Sequence, residues 1–364
     1  MKILYVYMDY PGVYQKYLQL SIDYIKTKCN IKILTYRFSH SSNYNIKSYG
    51  FLDYFQRLKY YLRISNSKSI DLQIFSKFDI IHIQHSYLFS KILPLLKLPS
   101  SKRPKIIITL RGGDTYVKPW VNSKWKDFYS KYGNEIDTFI TVSEDQKKYL
   151  QKWGVNPSKI TVIPVSFGFF STSKPKYPNQ NKLMLVSAFR MTWEKNIQGS
   201  IGLAVELKKN KIDFRWDIYG DGNDLGELYF TINKYNLENN VFVKGKIENE
   251  ELKKRYQSYD FYVQLSISEA LSASVLEAQS VGLPCIVSDA GGLPEAVIKN
   301  KTAIVYEDKD ISTLASRVAD LWLNREEYFD YSNSSIEFVN QNFTLEIERS
   351  KTIELYKKLV GLNI

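Results

Sequence analysis

The sequence predicts an α/β protein built from two doubly wound parallel sheets. Short apolar runs alternate with longer helical patterns along the chain, and each run is continuous, as in strands buried on both faces of a parallel sheet. The length of 364 residues is too great for one ordinary core, and an apolar content of 44% is enough for two cores. We therefore expect two Rossmann-like domains that face a central cleft, where the carboxyl ends of their strands would hold ligands.

The predicted strands form two sets of six. The first set lies at residues 3–8, 31–36, 79–83, 105–110, 138–142 and 160–164. The second set lies at residues 182–188, 214–219, 241–243, 261–265, 284–288 and 303–305. Between the sets, residues 171–181 are rich in Ser, Lys, Asn and Pro and have no periodicity, which predicts a linker. The expected division is an N-terminal domain at 1–170, a C-terminal domain at 182–342, and a helix at 343–364 that returns towards the N-terminal domain.

Basic residues are concentrated in the first half of the chain. Residues 1–175 carry 27 Lys and Arg against 11 Asp and Glu, whereas residues 176–364 carry 23 against 27, so the net charges are +16 and −4. This asymmetry indicates an anionic partner for the first half: a membrane surface, a phosphorylated lipid or nucleic acid. No nucleic-acid reading motif accompanies the charge, so we do not expect nucleic acid as the partner.

A basic aromatic helix is predicted within this first half. Residues 51–63, FLDYFQRLKYYLR, place aromatic and apolar side chains at helical spacing among Arg57, Lys59 and Arg63. Such a helix can lie in a bilayer interface. It can equally pack on its own domain with a solvated basic face, and the sequence leaves both interpretations open.

The two cysteines, Cys29 and Cys285, indicate a reducing compartment. They lie far apart and have neither metal-ligand spacing nor a disulfide framework. The opening KILYVYM is shorter than a signal-peptide core and is interrupted by Asp9 and Pro11, and no run approaches the roughly eighteen apolar residues of a membrane span. We expect a cytoplasmic protein, peripheral on the inner face of the cell membrane if its basic half docks there.

The segment 268–295, SEALSASVLEAQSVGLPCIVSDAGGLPE, holds the most informative candidate site. A helix is predicted at 272–281, and the N–H groups of Ser272, Ala273 and Ser274 at its start would bind an anion such as phosphate. Glu277, one turn deeper, can accept hydrogen bonds from the vicinal hydroxyls of a ribose, and Glu269 is placed to meet sugar hydroxyls. The alternative is a capped core helix with two solvated glutamates.

Two further features support this site. Arg190 and Lys195 follow the predicted strand 182–188, where two cations would neutralise a diphosphate leaving group. Gly291-Gly292 follows the strand 284–288 and gives a flexible turn before Leu293, Pro294 and Glu295. A solvated loop and an ordinary strand-to-helix turn are the alternatives for these two segments.

The order and spacing of these residues resemble the retaining glycosyltransferases of family 4, which have the GT-B fold. The resemblance rests on Arg190 to Lys195, the turn Gly220-Asp221-Gly222, the Glu269 and Glu277 pair, and the segment 291–295. It covers the second domain well and the first domain loosely. It implies that Arg190 and Lys195 hold the donor phosphates, that Glu277 binds the nucleotide ribose, and that Glu269 faces the donor sugar. It also implies donor-binding positions for Gly222 and for Ser272, which stands where many members have Gly.

The first domain supplies the candidates for the acceptor side. Gly12 stands after the first strand, where many relatives have a Gly-rich loop near the donor phosphates and the acceptor. His82 and His85 end the strand DIIHIQH and could position a proton, or they could be structural residues. Arg111 and Asp114 occupy the place of an Arg-Gly-x-Asp motif found in a subset of the family. Arg111 would pair with phosphate and Asp114 with an acceptor hydroxyl, or the two would brace a turn.

The expected reaction moves a sugar from a nucleotide-diphosphate donor, with uridine or guanosine as the nucleoside, to a hydroxyl of a glycan or lipid-linked acceptor. The resemblance implies a retaining mechanism in which Arg190, Lys195 and Glu269 are catalytic, within bacterial cell-surface polysaccharide synthesis. We expect no metal and no further cofactor, because no clear Asp-x-Asp site is present and Asp221 and Asp224 flank a turn. The alternatives are a nucleotide-sugar epimerase or hydrolase of the same architecture and a non-catalytic subunit that binds sugar nucleotides.

Overall fold

The protein divides into two compact units, each built on one parallel sheet. The computed structural model describes residues 1–10, 16–37, 39, 41–61, 69–179, 181–307 and 310–362. Unit 1 comprises Met1–Pro164 and Glu348–Ile364, and unit 2 comprises Val165–Ile347. The predicted class of two doubly wound α/β domains is confirmed.

Unit 1 contains a seven-stranded sheet in the order β3-β2-β1-β4-β5-β6-β7, and every described pairing in it is parallel. Its strands are β1 (Lys2–Tyr7), β2 (Asn30–Thr35), β3 (Tyr44–Asn45), β4 (Ile80–Ile83), β5 (Lys105–Thr109), β6 (Thr138–Thr141) and β7 (Ile160–Val162). Its helices before residue 164 are α1 (Lys16–Lys26), α2 (Gly50–Tyr61), α3 (Ile70–Phe75), α4 (Phe89–Leu96), α5 (Gly113–Tyr116), α6 (Lys118–Val121), α7 (Ser123–Tyr132) and α8 (Glu144–Gln151). All six predicted strands of this half are present within a few residues. The two-residue edge strand β3 was not predicted, since two residues carry no periodic signal.

Both faces of this sheet are buried, as the continuous apolar runs predict. Along β1, Ile3 and Tyr5 belong to one hydrophobic cluster, whereas Leu4 and Val6 belong to another. Successive side chains of a strand point to opposite faces, so the two clusters are the two faces of the sheet. The burial of both faces explains why the run shows no alternation of apolar and polar residues.

Unit 2 contains a six-stranded parallel sheet in the order β10-β9-β8-β11-β12-β13. Its strands are β8 (Leu183–Ala188), β9 (Phe214–Tyr219), β10 (Val241–Gly245), β11 (Phe261–Gln264), β12 (Cys285–Ser288) and β13 (Ala303–Tyr306). Its helices are α9 (Ile197–Lys209), α10 (Leu225–Lys234), α11 (Asn249–Tyr256), α12 (Ala273–Ser280), α13 (Ile311–Leu323) and α14 (Arg325–Asn342). The strand order reverses between β8 and β11, and such a switch point opens a crevice at the carboxyl ends of the strands.

The segment predicted as a linker contains no helix or strand and is tied to unit 2. The Ser171 N–H donates to Asn340 Oδ1 (2.8 Å), and the Lys176 N–H donates to Ser332 Oγ (2.9 Å). The Asn179 N–H donates to Asp260 Oδ1 (2.8 Å). These bonds link residues far apart in sequence, and the division between the units falls earlier, after Pro164.

The last helix, α15 (Leu345–Leu359), returns the chain to unit 1 from Glu348 onwards. Leu355 and Tyr356 are buried in the same hydrophobic cluster as Ile3 and Tyr5. Unit 1 is therefore completed by residues from the opposite end of the chain.

Candidate functional site

The loop after β8 carries Arg190, and a glycine turn holds this loop in place. A Cβ on Gly220 would lie 1.9 Å from the carbonyl oxygen of Phe189, and a Cβ on Gly222 would lie 2.1 Å from that of Met191. Both distances are too short for any side chain. The structure therefore places Gly222 against the backbone of the loop that carries Arg190, where it positions that loop.

Lys195 lies in the same loop and binds Glu269, which follows β11. The Nζ of Lys195 donates a hydrogen bond to the Glu269 carboxylate, and the two side chains are 13% and 17% exposed. The backbone joins the same two loops, because the Ile267 N–H donates to the carbonyl of Glu194 (2.9 Å). Two predicted catalytic residues, 74 positions apart, are thus brought together beside the switch point of the sheet.

Gln264, the last residue of β11, organises this pair and was not predicted. Its Nε2 donates to Glu269 Oε2 (2.8 Å), and its Oε1 accepts from Ser272 Oγ (2.8 Å). Tyr262 Oη donates to Ser274 Oγ (2.8 Å) in the same network. The available signal was a polar residue at the end of an otherwise apolar run, because a buried amide needs hydrogen-bonding partners.

The start of α12 lies beside this network. Ser272 is the N-cap, and its Oγ accepts from the Val275 N–H (3.4 Å) while the residue is 3% exposed. Ser272 therefore precedes the helix, and Ala273 is the first helical residue. The first N–H groups of a helix have no partner within that helix, so the amides of Ala273 and Ser274 can serve an anion.

The Gly291-Gly292 turn packs directly on Glu269. Gly291 has a φ of 57°, and a Cβ on it would lie 2.2 Å from the Glu269 carbonyl oxygen. The Gly292 N–H donates to the same oxygen (2.8 Å). The turn after β12 thus fixes the backbone of the glutamate that binds Lys195.

Glu277 has protein partners that were not predicted. Asn249 Nδ2 donates to both carboxylate oxygens (3.0 and 3.1 Å), and Lys253 Nζ lies 3.9 Å from Oε1. Burial raises the pKa of Glu277, and Lys253 and Asn249 oppose that shift. Each carboxylate oxygen has two lone pairs, so acceptor capacity remains for the hydroxyls of a ligand.

Arg190 differs from Lys195 in its surroundings. Its side chain is 76% exposed, and Glu194 Oε1 lies 3.9 Å from its Nη2. Lys195 is therefore held by a carboxylate in a half-buried position. Arg190 extends into solvent, where its side chain can move towards a ligand.

In unit 1, His82 is buried and both of its ring nitrogens have partners within the protein. The residue is 3% exposed, its Nδ1 is hydrogen-bonded to Tyr356 Oη (2.6 Å), and its Nε2 is hydrogen-bonded to Thr109 Oγ1 (2.7 Å). Burial, together with the nearby charges of Arg111 and Arg349, lowers its pKa to about 3. These contacts match the structural alternative for His82, in which the imidazole links β4 to β5 and α15.

Asp114 accepts hydrogen bonds from the turn that follows β5. Its Oδ1 accepts the N–H groups of Arg111 and Gly112 (3.1 Å each), and its Oδ2 accepts from Ser86 Oγ (3.0 Å). The residue is 3% exposed, and burial raises the pKa of its carboxyl group. The carboxylate holds the backbone of Arg111 in position and is itself shielded from solvent.

The two remaining candidates at this edge of the sheet are half-buried. Arg111 Nη2 donates to Gln84 Oε1 (3.4 Å). Burial and the charge of Arg111 together lower the pKa of His85 to about 4, so the imidazole is neutral near pH 7. Gly12 lies outside the residues that the structure describes.

Across the described ranges, no three His, Cys, Asp or Glu side chains are grouped so that they could hold a metal ion. Asp221 is instead paired with Lys246 (3.0 Å) and accepts the Gly222 N–H (2.8 Å). In the same described ranges, no helix combines the length and the apolar character needed to cross a membrane.

Two family models match the chain, one for each half. The model described as Glycosyltransferase Family 4 matches residues 18–165, and the model described as Glycosyl transferases group 1 matches residues 170–338. Together they cover most of the chain. The chain therefore belongs to the glycosyltransferases with the GT-B fold.

Curated relatives agree with this assignment. WcaL of Escherichia coli (strain K12), a glycosyltransferase assigned to colanic acid biosynthesis, is 26% identical over 266 residues, which is 71% of this chain and 65% of WcaL. The GtfA subunit of the UDP-N-acetylglucosamine–peptide N-acetylglucosaminyltransferase of Streptococcus parasanguinis is 25% identical over 254 residues, which is 66% of this chain and 48% of the subunit. The chain thus spans about half to two thirds of the length of these relatives.

Solved structures show the same fold at low sequence identity. Sucrose-phosphate synthase from Thermosynechococcus elongatus superposes with a TM-score of 0.74 and 16% identity, over 99% of both chains. HepE from Anabaena, solved in complex with UDP, superposes with a TM-score of 0.73 and 13% identity, over 98% of this chain and all of HepE.

Proposed function

We propose that the protein is a retaining, metal-independent glycosyltransferase that moves a hexosyl group from a nucleotide-diphosphate sugar to a hydroxyl of a glycan or lipid-linked acceptor. The observation that carries this proposal is the Lys195–Glu269 pair beside the switch point of the unit 2 sheet. The name of WcaL supports a role in bacterial cell-surface polysaccharide synthesis, and the name of GtfA supports glycan transfer.

Each residue has a defined part in the proposed reaction. As the bond between the anomeric carbon and the β-phosphate oxygen breaks, negative charge develops on that phosphate. Lys195, Arg190 and the first amides of α12 stabilise this charge, which lowers the barrier because the interaction strengthens as the charge forms. The departing phosphate takes the proton of the acceptor hydroxyl, whose oxygen bonds to the anomeric carbon on the same face. Glu269 orients Lys195 and contacts the donor sugar.

The proposed donor carries uridine or guanosine diphosphate, and Glu277 binds its ribose. Names of relatives and solved neighbours favour uridine, since HepE was solved with UDP and with UDP-glucose and GtfA is named for UDP-N-acetylglucosamine. Glu277 suits this role because Asn249 and Lys253 hold its carboxylate while lone pairs remain for two hydroxyls.

We also propose that the protein works in the cytoplasm, at an anionic membrane surface where a lipid-linked acceptor would be presented. Both cysteines are free in the structure, which suits a reducing compartment. The excess of basic residues in the first half supports attraction to anionic lipid.

A thermal-shift screen with UDP, GDP and their sugar conjugates tests the donor. A ligand that binds the folded state raises the melting temperature, and we expect one nucleotide family to do so for the wild type and to lose most of this effect in the Lys195→Ala variant. If no nucleotide sugar shifts the wild-type protein, the proposed donor site is refuted.

Nucleotide release with and without a glycan acceptor then separates transfer from its alternatives. A transferase releases nucleotide in proportion to acceptor. Equal release without acceptor would identify a hydrolase, conversion of the sugar without release would identify an epimerase, and stabilisation without turnover would identify a binding subunit.

A further inference from the structure

Helix α2 presents a continuous apolar stripe to solvent. Phe51, Tyr54, Phe55 and Leu58 are spaced as i, i+3, i+4 and i+7, so they share one face of the helix. Their exposed fractions are 79%, 63%, 51% and 41%, and the rings of Phe51 and Phe55 are 6.2 Å apart. In a helix that packs on its own domain, this stripe is the face that would be buried.

The chain around the stripe is basic. Residues 47–68 contain five basic residues (Lys47, Arg57, Lys59, Arg63 and Lys68) and a single acidic residue, Asp53. Lys47 and Lys59 are exposed in the structure. An apolar stripe within a basic segment matches the chemistry of an anionic lipid surface, which offers an apolar interior beneath negative headgroups.

We infer that α2 is a membrane-docking helix that lies in the plane of an anionic bilayer. Phe51, Tyr54, Phe55 and Leu58 enter the boundary between headgroups and acyl chains, and Lys47 and Lys59 contact the phosphates of the headgroups. Tyr54 suits this depth because its ring is apolar and its hydroxyl is polar. Phe and Leu are typical of the apolar face of an interfacial helix.

The charge around α2 favours lipid over a second copy of this chain. A symmetric contact through α2 would place the same basic segment against itself, and like charges in an interface oppose association. An anionic bilayer offers the opposite charge. The inference deepens the proposed membrane partnership, and it does not depend on the sugar-transfer chemistry.

Vesicle flotation of the full chain tests this inference. Vesicles of phosphatidylcholine alone are compared with vesicles that also contain phosphatidylglycerol, at low and high salt. We expect the wild type to bind the anionic vesicles. The Phe51→Ser/Phe55→Ser variant should bind them at least about tenfold more weakly, because it lacks two rings that would be buried in the bilayer. The Lys47→Glu/Lys59→Glu variant should also bind more weakly, with a reduced dependence on salt.

The matched control is Tyr229→Ser/Phe230→Ser, which removes two aromatic residues of α10 in unit 2 that are 54% and 69% exposed. This variant should bind vesicles as the wild type does. Circular dichroism confirms that each variant is folded.

Three results would overturn the inference: no binding by the wild type, equal binding to both kinds of vesicle, or undiminished binding by the Phe51→Ser/Phe55→Ser variant. Light scattering that shows a dimer lost in that variant, without vesicle binding by the wild type, would assign the stripe to self-association. The thermal-shift screen with nucleotides is independent of these results, so failure of the docking helix and failure of the proposed donor site are distinguishable.

Discussion

At the scale of single residues, the two cations of the candidate site are held in different ways. Lys195 is fixed by Glu269, which in turn is fixed by Gln264. Arg190 lies mostly in solvent. A side chain that contributes little to the folded state can be removed without loss of stability, so Arg190 allows its function to be tested separately from the fold.

We predict that Arg190→Ala lowers turnover by about 10²–10³-fold, the range observed when one charge-stabilising donor is removed from a transition state. The free energy of unfolding should change by less than about 0.5 kcal/mol, as is usual for an exposed residue. Lys209→Ala is the matched control, since Lys209 is 71% exposed in the same unit and follows no site strand. Steady-state kinetics and urea unfolding provide the two measurements, and similar turnover in both variants would contradict a phosphate role for Arg190.

The second residue-scale prediction concerns His82 and pH. Because its folded pKa is about 3, below the ordinary value of 6.5, the unfolded chain takes up a proton that the folded chain excludes. The stability that the folded state gains from neutral His82 is complete above pH 6.5. It is lost as the pH falls towards 3, by about 1.4 kcal/mol for each pH unit. His82→Gln retains hydrogen-bonding groups but does not titrate. Between pH 6.5 and 5, the free energy of unfolding should therefore fall for both proteins, but the fall should be about 2 kcal/mol smaller for His82→Gln than for the wild type.

Urea unfolding of both proteins across this pH range measures the difference. His85 and the carboxyl groups titrate in both proteins, so their contributions cancel. Parallel pH profiles for the wild type and His82→Gln would show that His82 is not held neutral in the folded state.

At the scale of elements, turns without side chains determine where the site loops lie. Gly291 brings the turn after β12 against the backbone of Glu269, and Gly222 brings the turn after β9 against Met191. The turns after β9 and β12 thereby position the loops that follow β8 and β11 in the same sheet. The tight turns explain why these glycines belong to the site although they contribute no functional group.

We predict that Gly291→Ala destabilises unit 2 by roughly 1–3 kcal/mol, because a side chain at a φ of 57° is strained and its Cβ meets the Glu269 carbonyl. The matched control is Gly226→Ala in α10, where a Cβ meets nothing within 4 Å. That variant should gain about 0.4–1 kcal/mol, since alanine reduces the entropy of the unfolded chain. Thermal unfolding with and without donor nucleotide distinguishes the two variants. Equal melting temperatures for Gly291→Ala and the wild type would refute the tight packing on Glu269.

At the scale of the whole molecule, unit 1 depends on both ends of the chain. Tyr356 from α15 is fully buried and its Oη lies 2.6 Å from both Tyr5 Oη and His82 Nδ1. The first strand and the last helix are therefore parts of one folding unit, although 351 positions separate Tyr5 from Tyr356.

We predict that truncation after Ile347 prevents stable folding of unit 1, because it removes Leu355 and Tyr356 from the buried cluster around β1. A control truncation that removes residues 362–364 should leave stability unchanged, since Leu362 is 51% exposed. The milder variant Tyr356→Phe should cost about 1–3 kcal/mol by leaving a ring nitrogen of His82 unpaired. Urea unfolding measures all three, and wild-type stability of the longer truncation would show that α15 is dispensable.

Much of the fold is predictable because its signals are local. Continuous apolar runs predict twelve of the thirteen described strands to within a few residues. The positions of Arg190, Lys195 and Glu269 after their strands place them at the same edge of a parallel sheet before any coordinate is known. The order of the residues alone thus predicts the lengths of the strands, the burial of both faces of each sheet, and a site at the ends of the strands.

The partners of these residues depend on the tertiary structure. No local pattern pairs His82 with Tyr356, 274 positions away, or Glu277 with Asn249 on a different helix. Whether α2 buries its apolar stripe or exposes it is likewise decided by what the rest of unit 1 packs against. Periodicity shows which faces are apolar, but contacts between distant segments determine which polar groups are satisfied inside the protein and which remain for a ligand.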